Sequence, residues 1–172
     1  MVNIYLGCDL FIEGQRIQAK YVEDLLNEAI GDKVNIYNPA NNLEINDKSA
    51  GFASGSDILF ADYDRLRNSD ILIALMDTND LGLAAEMGIA FERNIPIFQL
   101  YTDIRLTGND KEDKFDEMKK DIFQNDFLYI NKLVTGLSYV DKNGNKYQKP
   151  LIYQNVKDLV SSIVNIIDEK EF

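Results

Sequence analysis

The stretch DILIALMD, residues 70–77, sets six apolar residues between two aspartates. An apolar run at consecutive positions, rather than alternate ones, marks a strand covered on both faces, as at the centre of a parallel sheet. DLGLAAEMGIAF, residues 80–91, follows it and reads as a helix of small and apolar residues with one carboxylate, Glu86, in its middle. Working outward, VNIYLG (2–7) reads as a first strand, KVNIYNP (33–39) as a second closed by Pro39, and IPIFQLYT (95–102) as a fourth. Helical patterns lie between them. In QRIQAKYVEDLLNEAIG (15–31), Ile17, Tyr21, Leu25 and Ala29 recur at helical spacing and Gly31 is the expected stop. After a polar loop to about residue 51, Ser56 is the expected cap of a helix with Leu59, Tyr63 and Leu66 on one face.

The charge run at 109–121 reads as a solvated helix face with Phe115, Met118 and Ile122 turned inward. Asn143-Gly144, between strand-like flanks, is a hairpin signal. Val156, Leu159, Val160, Ile163 and Ile167 form the apolar stripe of a closing helix. Strands alternating with helices give an α/β, doubly wound sheet of the flavodoxin-like or Rossmann-like kind. It has about five parallel strands with helices on both faces, in one domain over residues 1–172. Ligands in such folds bind beyond the carboxyl ends of the strands, which points to 6–11, 37–42, 76–82 and 101–108.

Composition narrows the chemistry. A net charge of -11 argues against a nucleic-acid partner and an anionic membrane surface. The start MVNIYLGCDLF has no basic n-region, and no apolar run reaches about 18 residues, so a soluble cytoplasmic protein is expected. There is no histidine and one cysteine, Cys8, which leaves no histidine base, no histidine or cysteine-rich metal site and no internal disulfide. Acid–base or nucleophilic work then falls mainly to carboxylates, tyrosines and lysines.

Glu86 is the residue that a core helix does not need. Buried, it must be paired, hydrogen-bonded or protonated. Arg93 lies seven positions on, beyond the reach of local helical pairs. Tyr5, on the first strand, is the candidate donor, so a pocket lined by Tyr5, Asp80 and Glu86 is expected. A purely structural Glu86, capping a neighbouring loop or lying in a subunit contact, is the other reading. Asp77 and Asp80 read first as loop caps, and Tyr5 alone as a core tyrosine. One thing that clustered carboxylates can do without histidine is cleave a glycosidic bond, one as nucleophile and one as acid, with no metal or organic cofactor needed.

Taken in order, IYLG with Phe11, SDILIALMD, DLGLAAEMGIAF with its D-x-G-x-x-x-E-x-G-x-A pattern, YTDIRLTGND and YINKLVTGL resemble the nucleoside 2-deoxyribosyltransferase family over nearly the whole length. The resemblance implies a cofactor-free ping-pong transfer of deoxyribose from a 2′-deoxynucleoside to a free purine or pyrimidine base, in nucleoside salvage. By position it implies Glu86 as nucleophile, Tyr5 as its hydrogen-bond partner and Asp70 as the acid for the departing base. Asp80 would bind the sugar 5′-hydroxyl, and Phe11 would flank the base. Asn131 would reach into a neighbouring subunit's site, which implies a homo-oligomer. The loop GCDLF departs from the small residue or proline often found there, and Asp9 adds a carboxylate near the base pocket. Two other readings share the fold. One is a hydrolase of deoxynucleosides or their 5′-monophosphates, in which Ser54, Gly55, Ser56 and Arg16 would cradle phosphate. The other is a non-catalytic binding module in which Asp9, Asp77 and Asp80 form an acidic, receiver-like cluster.

Overall fold

The computed structural model describes residues 1–42, 46, 49, 53–108, 110–120 and 130–169. Five strands, β1 (Val2–Gly7), β2 (Val34–Tyr37), β3 (Ile71–Leu75), β4 (Ile97–Leu100) and β5 (Ile152–Tyr153), form one sheet in the order β2-β1-β3-β4-β5. Every pairing is parallel, with Tyr5 beside Leu72 and Gly7 beside Ala74. The helices are α1 (Glu13–Ile30), α2 (Gly55–Leu66), α3 (Leu81–Glu92), α4 (Glu112–Lys120), α5 (Lys132–Gly136) and α6 (Val156–Asp168). The chain therefore has the expected α/β architecture.

Strand periodicity sorts the core into two layers. Ile4 and Leu6 face one way with Ile71, Ile73 and Leu75, against Ala19, Val22 and Leu26 of α1 and Leu159 and Ile163 of α6. Tyr5, Leu72 and Ala74 face the other way, against Leu66 of α2 and Leu83, Met87 and Ala90 of α3. All five residues of β3 are buried, as a central strand covered by helices on both faces requires. The order reverses between β1, which leads to β2, and β3, and the crevice of such sheets lies above the carboxyl ends of these two strands.

Three local expectations are corrected. The inward face of α1 is Gln15, Ala19, Val22, Leu26 and Ile30, whereas Ile17 and Tyr21 are exposed, as is Ala29. Both stripes have helical spacing, and packing under β1 selects the one that starts with a polar residue. Ser54, not Ser56, caps α2: its side chain accepts from the Asp57 amide while the Asp57 side chain accepts from the Ser54 amide. Leu59 is exposed, so the inward end of that helix is Leu66. Gly31 does end α1, but with a right-handed φ; its glycine is required because a Cβ would lie 2.5 Å from the Asn27 carbonyl oxygen. The closing stripe on α6 is buried throughout. Asn143-Gly144 sits in a short turn with one antiparallel bridge, Val140 to Lys146. The charge run forms α4, but the inward positions expected for Phe115, Met118 and Ile122 lie outside the described residues. No helix among the described residues is long and apolar enough to cross a membrane.

Candidate active site

β1 and α3 approach closely at the crevice, and the contact is made by a glycine. A Cβ on Gly7 would stand 2.6 Å from Leu83 Cδ1 and 3.0 Å from Glu86 Oε2. The small residues of α3 let the helix settle on the strand, and its sixth position brings Glu86 to the strand's carboxyl end. There the Tyr5 hydroxyl donates to Glu86 Oε1 at 2.8 Å. Tyr5 is fully buried and its ring is tilted against that of Tyr37, with centroids 5.3 Å apart. The tyrosine is thus fixed by packing before it meets the carboxylate.

The Glu86 carboxyl is held up at about 8, first by burial. The Tyr5 hydrogen bond pulls it down, while the negative fields of Asp62 and Asp80 push it up. Burial and the Glu86 charge drive the Tyr5 phenol far above its usual value, so it stays a donor at every working pH. Cys8, one residue past β1, is raised to about 12 by burial and then by Glu86, Asp9 and Asp80. It is a buried thiol rather than a thiolate nucleophile.

Asp80 caps α3, its Oδ1 accepting from the Leu83 amide at 2.6 Å. Asp9, almost fully buried, accepts from the Phe11 amide at 3.0 Å and turns the chain so that the Phe11 ring stands in solvent at the rim. Asn131 caps the short helix α5, its Oδ1 accepting from the Leu133 and Val134 amides, and it is exposed. That helix is fastened to the sheet by a buried polar network. Gln99 Nε2 donates to Val134 O and Ser138 Oγ, Ser138 Oγ donates to Ile97 O, and the Tyr101 hydroxyl donates to Gln99 Oε1. Every member is satisfied, which makes the placement of α5 rigid.

Asp70 is not in this site. It precedes β3 at the amino end of the sheet, exposed, with its Oδ2 accepting from the Asn3 amide at 2.8 Å. Asn3 and Gly7 are four residues apart on β1, about 13 Å at a strand's rise, so Asp70 is far from Glu86. The carboxylate that does act on Glu86 from a neighbouring element is Asp62 on α2, whose field reaches Glu86, Tyr5 and Tyr37. In the sequence it is one more acid in a charged helix, ADYDRLR, with no apolar surroundings to single it out. Asp62 lies four residues before Leu66, the one fully buried position of that helix, and so shares its side of it. The receiver-like cluster is not formed: Asp9, Asp77 and Asp80 each serve a different local contact, and no three candidate ligands among the described residues are grouped to hold a metal ion.

A glutamate hydrogen-bonded by a buried tyrosine thus lies at the switch point of a doubly wound sheet, where such folds receive ligands. The chain belongs to the nucleoside 2-deoxyribosyltransferase family, whose model it matches over residues 4–132. Among solved structures it is similar to a conserved protein from Enterococcus faecalis V583, with 31% identity, 99% of each chain covered and a TM-score of 0.78. It shares its fold with the 2-deoxyribosyltransferase of the psychrotolerant bacterium Bacillus psychrosaccharolyticus, at 17% identity and TM-score 0.61, with 95% of this chain and 96% of that one covered. The Clostridium botulinum CMP N-glycosidase also shares it, at 18% identity and TM-score 0.52, covering 94% and 96%. No curated protein matches the chain.

Proposed function

We propose that this protein transfers the 2-deoxyribosyl group of a 2′-deoxynucleoside to an acceptor purine or pyrimidine base through an ester on Glu86. The observation that carries the reading is the Tyr5–Glu86 hydrogen bond. It occupies Oε1 and leaves Oε2, the oxygen beside Gly7, for attack. In the first half-reaction Glu86 Oε2 bonds to C1′ while the glycosidic C–N bond breaks, its electron pair going to the base. Asp62, in place of Asp70, supplies the proton that the departing nitrogen needs. In the second half-reaction a nitrogen of the acceptor base attacks C1′, the ester C–O bond breaks, and the acceptor's proton returns to Asp62. Positive charge grows on the sugar as the bond breaks, and the Glu86 carboxylate stabilises it in a water-poor site.

Asp80 supports an unphosphorylated substrate. Its carboxylate caps α3 and covers the helix start where a 5′-phosphate would otherwise be received. Asp80 binds the sugar 5′-hydroxyl in this reading, and Phe11 and Asp9 border the base. Phe11, Leu81 and Ile104 are exposed on the segments that follow β1, β3 and β4, and Leu133 is exposed on α5. Such a surface favours a homo-oligomer in which Asn131, beside Leu133, completes a neighbour's site.

Base exchange tests the reading: deoxyinosine is supplied with and without adenine. Deoxyadenosine formed only with adenine supports transfer. Hypoxanthine released at the same rate without adenine, and no new nucleoside, makes the protein a hydrolase.

The pH profile is a second test. kcat/KM is expected to pass through a maximum, rising near about 8 as Glu86 ionises in the free enzyme and falling again where the acid that serves the leaving base gives up its proton. Tyr5→Phe removes the contact that lowers the Glu86 value, so its limb shifts to higher pH. A limb that stays in place under Tyr5→Phe would assign the titration to another group.

A further inference from the structure

Beneath the crevice, α1 meets the loops that follow β3 and β4 through a chain of polar side chains. Gln15 is 5% exposed, a poor place for a carboxamide unless its bonds are used. Its Nε2 donates to Gln18 Oε1 at 3.1 Å, which turns the Gln18 amide so that Nε2 faces outward from α1. Gln18 Nε2 then donates to Asp77 Oδ2 at 3.1 Å and to Thr102 Oγ1 at 3.0 Å. The Thr102 amide donates to Asp77 Oδ1 at 2.5 Å, and its hydroxyl donates to Asp77 Oδ2. Asp77 is therefore caged by neutral donors from two separate elements. Two buried polar atoms at this junction, Gln15 Oε1 and Thr78 Oγ1, have no partner among the described residues. An unpartnered buried acceptor is destabilising, so packing alone would favour an apolar side chain at position 15.

Asp77 stands three residues before Asp80. The short segment between them is anchored at one end by the Asp77 cage and at the other by the Asp80 cap on Leu83. Asp80 Oδ1 is committed to that cap, and Oδ2 accepts no hydrogen bond among the described residues. We propose that Gln15, Gln18, Asp77 and Thr102 form a positioning relay that aims Asp80 Oδ2 at the substrate's 5′-hydroxyl. This rests on the deoxynucleoside reading above. None of the four need touch the substrate; they set where Asp80 stands.

The test compares 2′-deoxyinosine with 2′,5′-dideoxyinosine, each with adenine as acceptor, on the full-length protein. Asp77→Asn places an amide donor among donors. It is expected to lower kcat/KM for deoxyinosine by about 10- to 100-fold and for the 5′-deoxy substrate by no more than about threefold, the scale set by misplacement of a binding group. Thr102→Val should show the same selective loss, and Thr102→Ser should restore the preference, which keeps the test open if Asp77→Asn does not fold. Equal losses on both substrates would make the network merely structural, and no loss on either would make it idle; each overturns the relay. Asp80→Ala separates the two levels of the argument. If it abolishes the 5′-hydroxyl preference while Asp77→Asn and Thr102→Val keep it, the relay alone is wrong. If wild type shows no such preference, or Asp80→Ala retains it, the substrate reading falls and takes the relay with it.

Discussion

Glu86→Gln is expected to lower deoxyribosyl transfer by on the order of 10⁴-fold or more, since an amide neither attacks C1′ nor stabilises the charge that develops there. The same change should strengthen the fold at alkaline pH. The folded protein keeps a proton on Glu86 up to about 8, against an ordinary value of 4.5. Between those values the folded state binds more protons than the unfolded state, so stability falls as pH rises through the window and stays lower above it. At about 1.4 kcal/mol per pH unit the loss is at most a few kcal/mol. Glutamine does not titrate and keeps the Tyr5 contact, so the variant should melt above wild type near about pH 9 and converge with it near about pH 5. Thermal melts at both pH values measure this. A difference that does not change with pH would mean that Glu86 is not the buried titrating group. The outcome is a trade of stability for function at one residue.

The second large effect is expected at Asp62. Asp62→Asn should slow transfer from deoxyinosine by about 10²- to 10⁴-fold, the usual worth of a positioned acid. With a 2-deoxyribosyl donor whose leaving group departs without a proton, such as 4-nitrophenolate, the loss should nearly vanish. Kinetics on both donors give the answer. Equal losses would assign Asp62 an electrostatic or structural part rather than proton transfer. Asp70→Asn serves as the contrast, because Asp70 lies at the far end of the sheet and should leave both rates unchanged.

The fold was legible because its strands are short, apolar and separated by helical patterns. The run at 70–77 could only be central, and its neighbours followed from alternation and right-handed crossovers. The Tyr5–Glu86 contact was legible for a related reason: a lone carboxylate in an apolar helix needs a donor, and Tyr5 stands on the neighbouring strand. Positions fixed by tertiary contact were not legible. Two helical stripes coexist on α1, and the sheet chose the one beginning with Gln15, which hid the Gln15–Gln18 relay. On α2 Asp62 stands among other charged residues, Asp64, Arg65 and Arg67, and only the packing of that helix against the site distinguishes it. Motif order alone points to Asp70, but a residue at the start of a parallel strand stands a full strand length from its carboxyl end.

The most direct measurement of the central claim is the mass of the intact protein, quenched rapidly after mixing with deoxyinosine and no acceptor. The account predicts a gain of one deoxyribosyl group, mapped by peptide analysis to Glu86. The adduct should vanish, with deoxyadenosine formed, when adenine is added. An adduct on another residue, or deoxyadenosine formation by a Glu86→Gln protein at the wild-type rate, would contradict it.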